Sequence, residues 1–162
     1  MDRLKLTAAG ERELVMTRTF DAPPRLVFEA WTTPALVRRW LLGPEGWTMP
    51  VCEIDLRVGG AYRYVWENAG CDMKMGLGGV YREIDRPRRL VATERFDEPW
   101  YPGEGLVTLE LEARDGRTLM TETLRYDSAE ARDAELSSPM EGGVAASFDR
   151  LAGLLAELPA GG

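Results

Sequence analysis

A chain of 162 residues with 44% hydrophobic content has the length of one domain, residues 1–162, and enough apolar material for a core that needs no disulfide or metal staple. It has no histidine and only two cysteines, Cys52 and Cys71, which excludes Ser-His-Asp and Cys-His triads, imidazole bases and four-ligand Cys/His zinc sites. The net charge is −7, residues 127–162 hold 7 acids against 2 bases, and the longest basic group is Arg86, Arg88 and Arg89, so the electrostatic footprint of a nucleic-acid binder is missing.

Residues 13–20 (ELVMTRTF) are rich in β-formers and run into Asp21, Ala22, Pro23 and Pro24, which predicts a strand followed by a helix start capped by Asp21. The helix covers Arg25 to Thr32 with Leu26, Val27, Ala30 and Trp31 facing inward. Thr33-Pro34 opens a second short helix carrying Leu36, Val37 and Trp40 and ending near Gly43-Pro44. Six further strands follow, separated by turn signals: Val51 to Leu56, Ala61 to Glu67, Val80 to Ile84, Leu90 to Phe96, Leu106 to Ala113 and Thr118 to Tyr126. Asp115-Gly116 is the strongest hairpin signal, because a tight primed turn needs positive backbone angles. Gly59, Gly60, Gly78 and Gly79 precede strands, lack a GxGxxG or GK[ST] frame, and read as strand bends.

After a short helix over Ala129 to Leu136, Ser138-Pro139-Met140-Glu141 forms a capping-box signal. Met140, Val144, Phe148, Leu151, Leu155 and Leu158 then follow at three- and four-residue spacing, predicting one long amphipathic helix closed by Pro159 and Gly161. The order of elements predicts an α+β fold, a curved antiparallel sheet of about seven strands wrapped around the C-terminal helix. No apolar run reaches the roughly 18 residues of a spanning helix and the N-terminus has no signal-peptide core, so no membrane insertion is expected. Two unpaired cysteines without a CxxC fit a reducing, cytoplasmic location.

Several segments are familiar together. TRTFDAPPRLVFEAWTTPALVRRW (17–40), GPEGWT (43–48), CEIDLRVGGAYRYVW (52–66), GGVYREIDRPRRLVATERF (78–96) and RYDSAEARDAELSSPMEGGVAASFDRLAGLL (125–155) resemble the SRPBCC superfamily. Within it they are similar to the single-domain proteins related to the activator of heat-shock-protein-90 ATPase. The resemblance runs from about residue 13 to residue 158. It implies the helix-grip (START-like) fold, with a cavity between sheet and long helix that takes an apolar ligand in many relatives. The chain departs from the family pattern at Leu41, where a second tryptophan is usual, at Val144, where an aromatic is usual, and at Glu122, where an apolar residue is usual. Residues 67–77 (ENAGCDMKMGL) also depart, with Met73, Met75 and Leu77 in place of a short polar hairpin.

Aromatic and methionine side chains at strand and helix spacing are first of all packing residues. A cavity fold makes some of them lining residues as well. The expected ligand-binding set is Trp66, Met73, Met75, Phe96, Met120, Glu122, Val144, Phe148 and Leu151, while Trp31 and Trp40 are assigned to packing. Glu94 and Glu122 are the expected polar anchors. Glu122 shares the face of Met120, Leu124 and Tyr126; it is either solvated near a strand end, paired with an arginine, or an anchor whose ionisation is suppressed by apolar surroundings. No catalytic residue, metal ligand or cofactor is assigned.

Three functions stand open. The first is binding of a small apolar or amphipathic molecule as a sensor, carrier or sequestering protein. The second, implied by the subfamily name alone, is chaperone activation or another protein partnership, linked to stress; the eukaryotic activator carries a further domain that these residues do not include. The third is a cyclase- or hydrolase-like enzyme using a buried carboxylate with tyrosine. A monomer and a homodimer are both compatible with the sequence.

Overall fold

The computed structural model of the protein describes residues 3–98, 104–138 and 140–158. The elements are β1 (Lys5–Ala9), β2 (Glu13–Phe20), α1 (Pro24–Thr32), α2 (Pro34–Trp40), β3 (Trp47–Ile54), β4 (Ala61–Asn68), β5 (Met73–Asp85), β6 (Arg89–Phe96), β7 (Gly105–Arg114), β8 (Arg117–Arg125), α3 (Ala129–Leu136) and α4 (Met140–Glu157). One curved antiparallel sheet has the order β1-β2-β8-β7-β6-β5-β4-β3. The helices and the sheet together form the helix-grip arrangement.

The sheet has eight strands, one more than the sequence predicts. The added one is β1, whose KLTAA carries little β-propensity and is held by pairing with Glu13 to Thr17 and by Leu4 and Leu6 packing near Leu14 and Met16. A second difference is β5. The segment predicted as a loop up to Leu77 is a strand from Met73 onward, because it pairs with the whole of β4, from Ala61↔Val80 to Asn68↔Met73. Gly79 is required there, since a Cβ at that position would lie 1.9 Å from the Thr93 carbonyl oxygen of β6.

Asp21 does not cap α1. Pro23 is the cap residue and Pro24 the first helical residue, so missing N–H groups leave fewer donors to satisfy; Asp21 is exposed and lies 3.6 Å from Arg117. At the β7–β8 turn Asp115 (φ 52) and Gly116 (φ 78) both have positive φ, as a primed hairpin demands. Ser138 donates its hydroxyl to the Glu135 carbonyl at 2.6 Å. Pro139, expected at the first helical position, and Pro159 and Gly161, expected to close the helix, lie outside the described residues.

The solid part of the core sits where α1, α2 and α4 meet the sheet. Phe20, Val27, Trp40, Phe148 and Leu151 are at most 1% exposed, and Phe148 meets Phe20 edge-on at 6.2 Å. Trp40 donates its indole N–H to the Ala30 carbonyl at 2.9 Å, so the polar end of a fully buried ring is satisfied. α4 is thereby fixed along the sheet at its Phe148–Leu155 half.

Candidate functional site: a cavity under the C-terminal helix

Toward the other end of α4, sheet and helix do not close on each other, and a cavity of about 610 Å³ remains. Strand alternation builds its walls. Tyr62, Tyr64 and Trp66 project from β4, Leu90, Ala92, Glu94 and Phe96 from β6, Val107 and Leu109 from β7, and Glu122 and Leu124 from β8. Val144 and Phe148, one helical turn apart on α4, form the opposite side. The segment Leu41 to Pro44 completes the wall and is tied to both layers. Trp66 Nε1 donates to the Leu41 carbonyl at 2.7 Å, the Gly43 N–H donates to Ser147 Oγ at 2.8 Å, and Arg150 Nη1 donates to the Gly43 carbonyl.

The ionisable side chains among the described residues of this apolar surface are acidic or phenolic. Glu122 is 8% exposed, beside Met16 and Leu109 on the flanking strands. Burial, with a smaller contribution from the nearby Glu94, pushes its carboxyl up to about 8. Glu94 is pushed up to about 7, again by burial first and by Glu135 second. Glu135, from α3, is the third carboxylate of the wall. Removal from water also raises Tyr62, Tyr64 and Tyr81, so all three are phenols at any ordinary pH; Tyr62 donates to the Thr93 carbonyl at 2.6 Å. Among the described residues lining the cavity there is no lysine or arginine. Arg18, buried on β2, is held instead by Asp149 at 2.9 Å and by the face of Phe20 at 5.0 Å. No group of three histidine, cysteine or acidic residues among those described is placed to hold a metal ion.

Of the residues singled out from the sequence, Trp66, Met75, Glu94, Phe96, Glu122, Val144 and Phe148 line this cavity. Three do not. Met73 is 55% exposed, at the start of β5 and past the wall. Met120 is fully buried behind Trp31, whose Nε1 lies 3.3 Å from its sulfur. Leu151 is fully buried in the solid core about one turn beyond Phe148. Trp40 is a packing residue, as expected, whereas Trp31 faces the cavity as well as the core. The tyrosines and Glu135 went unnoticed in the sequence, although Tyr62 and Tyr64 share the parity of Trp66 on their strand. The three departures from the family pattern, Leu41, Glu122 and Val144, all lie on the cavity wall.

A curved antiparallel sheet holding a long C-terminal helix over an apolar cavity defines a helix-grip domain. The chain belongs to the family described as Activator of Hsp90 ATPase homolog 1-like protein, whose sequence model matches residues 21–156. A crystal structure of a protein from Rhodobacter sphaeroides is 33% identical, with a TM-score of 0.90 over 97% of this chain and 100% of that one. A protein from Chromobacterium violaceum is 27% identical, with a TM-score of 0.76 over 90% of this chain and 98% of that one. An AHSA1-like protein from Aeromonas hydrophila, 17% identical over 90% of this chain and 97% of that one, shares the fold with a TM-score of 0.69. No curated protein matches the chain.

Proposed function

We propose that the protein binds a small apolar or amphipathic molecule between the sheet and α4, and acts in the cytoplasm as a sensor, carrier or sequestering protein. The cavity supports this reading most directly. Its volume, about 610 Å³, lies within the range of small-molecule sites, and its surface is mostly aromatic and aliphatic with a few convergent polar groups. Membership in a family that commonly encloses hydrophobic ligands points the same way. Trp66 and Phe96 supply flat apolar surface for the body of the ligand, while Glu94 and Glu122 sit where a polar head would be anchored. The fold contributes a rigid frame, since the wall segment at Leu41 to Pro44 is hydrogen-bonded to both layers.

Titration with an apolar dye tests the proposal. Binding should quench tryptophan fluorescence with a saturable curve, and Trp66→Phe should remove most of that quenching while leaving the affinity within about threefold. Absence of saturable binding would overturn the proposal. An empty protein that instead stimulates a chaperone ATPase would favour the protein-partner role carried by the family's name.

A further inference from the structure

We propose that the preferred occupant of the cavity is an amphipathic cation, an ammonium or amidinium group on an apolar body, with its head between Glu94 and Glu122. The inference rests on the cavity being a ligand site, as argued above, and names the chemistry of the head group.

Several acids on the outer surface of the sheet are paired with arginines. Asp97 receives two hydrogen bonds from Arg63 at 2.6 and 2.7 Å, and Glu83 and Glu110 share Arg89 at 3.0 Å each. Glu94 and Glu122 are treated differently. Glu122 is 8% exposed and opens onto the cavity, and among the described residues neither carboxyl has a hydrogen-bond or ion-pair partner. An ionised carboxylate without a partner is costly at the buried Glu122 and, to a lesser degree, at the half-buried Glu94, and both line the cavity, from which a partner can reach them.

The wall then selects the partner. With acidic side chains on it and no lysine or arginine among the described lining residues, an anionic head such as a fatty-acid carboxylate finds no cationic partner and is tolerated only while both carboxyls keep their protons. A neutral hydroxyl can accept a proton-mediated hydrogen bond from a protonated carboxyl but gains no charge pairing. A cation gains both charge-assisted hydrogen bonds and contact with aromatic faces such as Tyr64 and Trp66.

Among the described residues, the titratable side chains lining the cavity are Glu94 from β6, Glu122 from β8, Glu135 from α3, Tyr62 and Tyr64 from β4, and Tyr81 from β5; α4 presents none. The tyrosines stay protonated, and Glu94 and Glu122 are the groups whose protonation changes near neutrality. With Glu94 pushed up to about 7 and Glu122 to about 8, the empty cavity holds protons that an entering cation displaces to solvent. Binding of a cation should therefore tighten as pH rises from 6 to 8 and release protons that a neutral ligand does not.

The test is calorimetric titration of the whole chain with decylammonium, decanol and decanoate, which share a body and differ in the head. Decylammonium should bind roughly tenfold or more tightly than decanol, decanoate should be weakest, and the decylammonium heat should change with the ionisation enthalpy of the buffer in the sense of proton release, which neither decanol nor decanoate should show. Glu94→Gln and Glu122→Gln should each reduce the preference for decylammonium over decanol, measured on the same variant, to about threefold or less. The head-group inference is overturned if decanol or decanoate binds as tightly as decylammonium, or if the preference survives both substitutions; the cavity would then remain a ligand site of other specificity. Failure of all three to bind would overturn the ligand-site reading itself. The three-ligand series on the unaltered protein decides the matter even if a variant does not fold.

Discussion

Replacing Glu122 by leucine isolates the energetic consequence of a carboxyl on the cavity face. In the folded protein this group is raised from its ordinary value of 4.5 to about 8, chiefly by burial. The folded state therefore binds the proton more tightly than the unfolded chain does. The resulting stability is fully present below pH 4.5, is lost as pH rises through 8, and is constant above that. An independent group would lose about 1.4 kcal/mol per pH unit across this window. Contact with the water-accessible cavity and the shared field of Glu94 reduce that figure, so the expected total loss is about 2 to 4 kcal/mol. Leucine fits the position, since the residues opposite on the neighbouring strands are Met16 and Leu109. Urea unfolding followed by circular dichroism should place Glu122→Leu close to the wild type at pH 5 and about 2 to 4 kcal/mol above it at pH 9. The difference between the two curves removes the separate loss due to Glu94, which is raised to about 7. If the two proteins stay within about 0.5 kcal/mol of each other across the whole range, Glu122 is a solvated residue and the reasoning fails.

Three further outcomes follow from the packing. Leu151→Ala, in the fully buried part of α4, should destabilise the protein by about 2 to 5 kcal/mol in chemical unfolding, and a neutral result would show that α4 is not anchored there. Val144→Trp places the family's usual aromatic bulk into the cavity wall; it should lower the affinity for an apolar dye about tenfold or more with little change in thermal stability, and unchanged affinity would put the ligand elsewhere. Gly79→Ala should cost about 1 to 3 kcal/mol, because its Cβ would meet backbone of β6 and the ring of Tyr62, and thermal unfolding at the wild-type midpoint would refute the close approach of β5 and β6.

The parts of the fold legible in the sequence are those specified locally. The Asp115-Gly116 turn, the prolines at the starts of α1 and α2, and the apolar spacing along α4 each act within a few residues, and each lies where the sequence puts it. Strands β1 and the first half of β5 were not legible because their stability is not local. KLTAA and MKMGLGG have modest β-propensity and form strands because β2, β4 and β6 supply partners. The glycines of β5 illustrate this: they read as breakers, yet Gly79 is the residue that allows close contact between strands. In the cavity, parity along β8 placed Glu122 on the inner face among Met120, Leu124 and Tyr126, where it lies. The same parity on β4 carries Tyr62 and Tyr64 inward with Trp66. Glu135 gave only a faint signal, its four-residue spacing from the buried Ala131 on a short helix with little apolar content. Met120 and Leu151 show the limit of parity arguments: they face inward as expected, but solid core rather than open space lies in front of them.

Native mass spectrometry of the protein purified from its own host tests the central claim most directly. A filled cavity predicts a non-covalent adduct of discrete small mass that is retained on gentle desolvation, released on unfolding, and strongly diminished in Val144→Trp. Protein that is uniformly free of any adduct, and that also fails to take up an added apolar dye, would contradict the account.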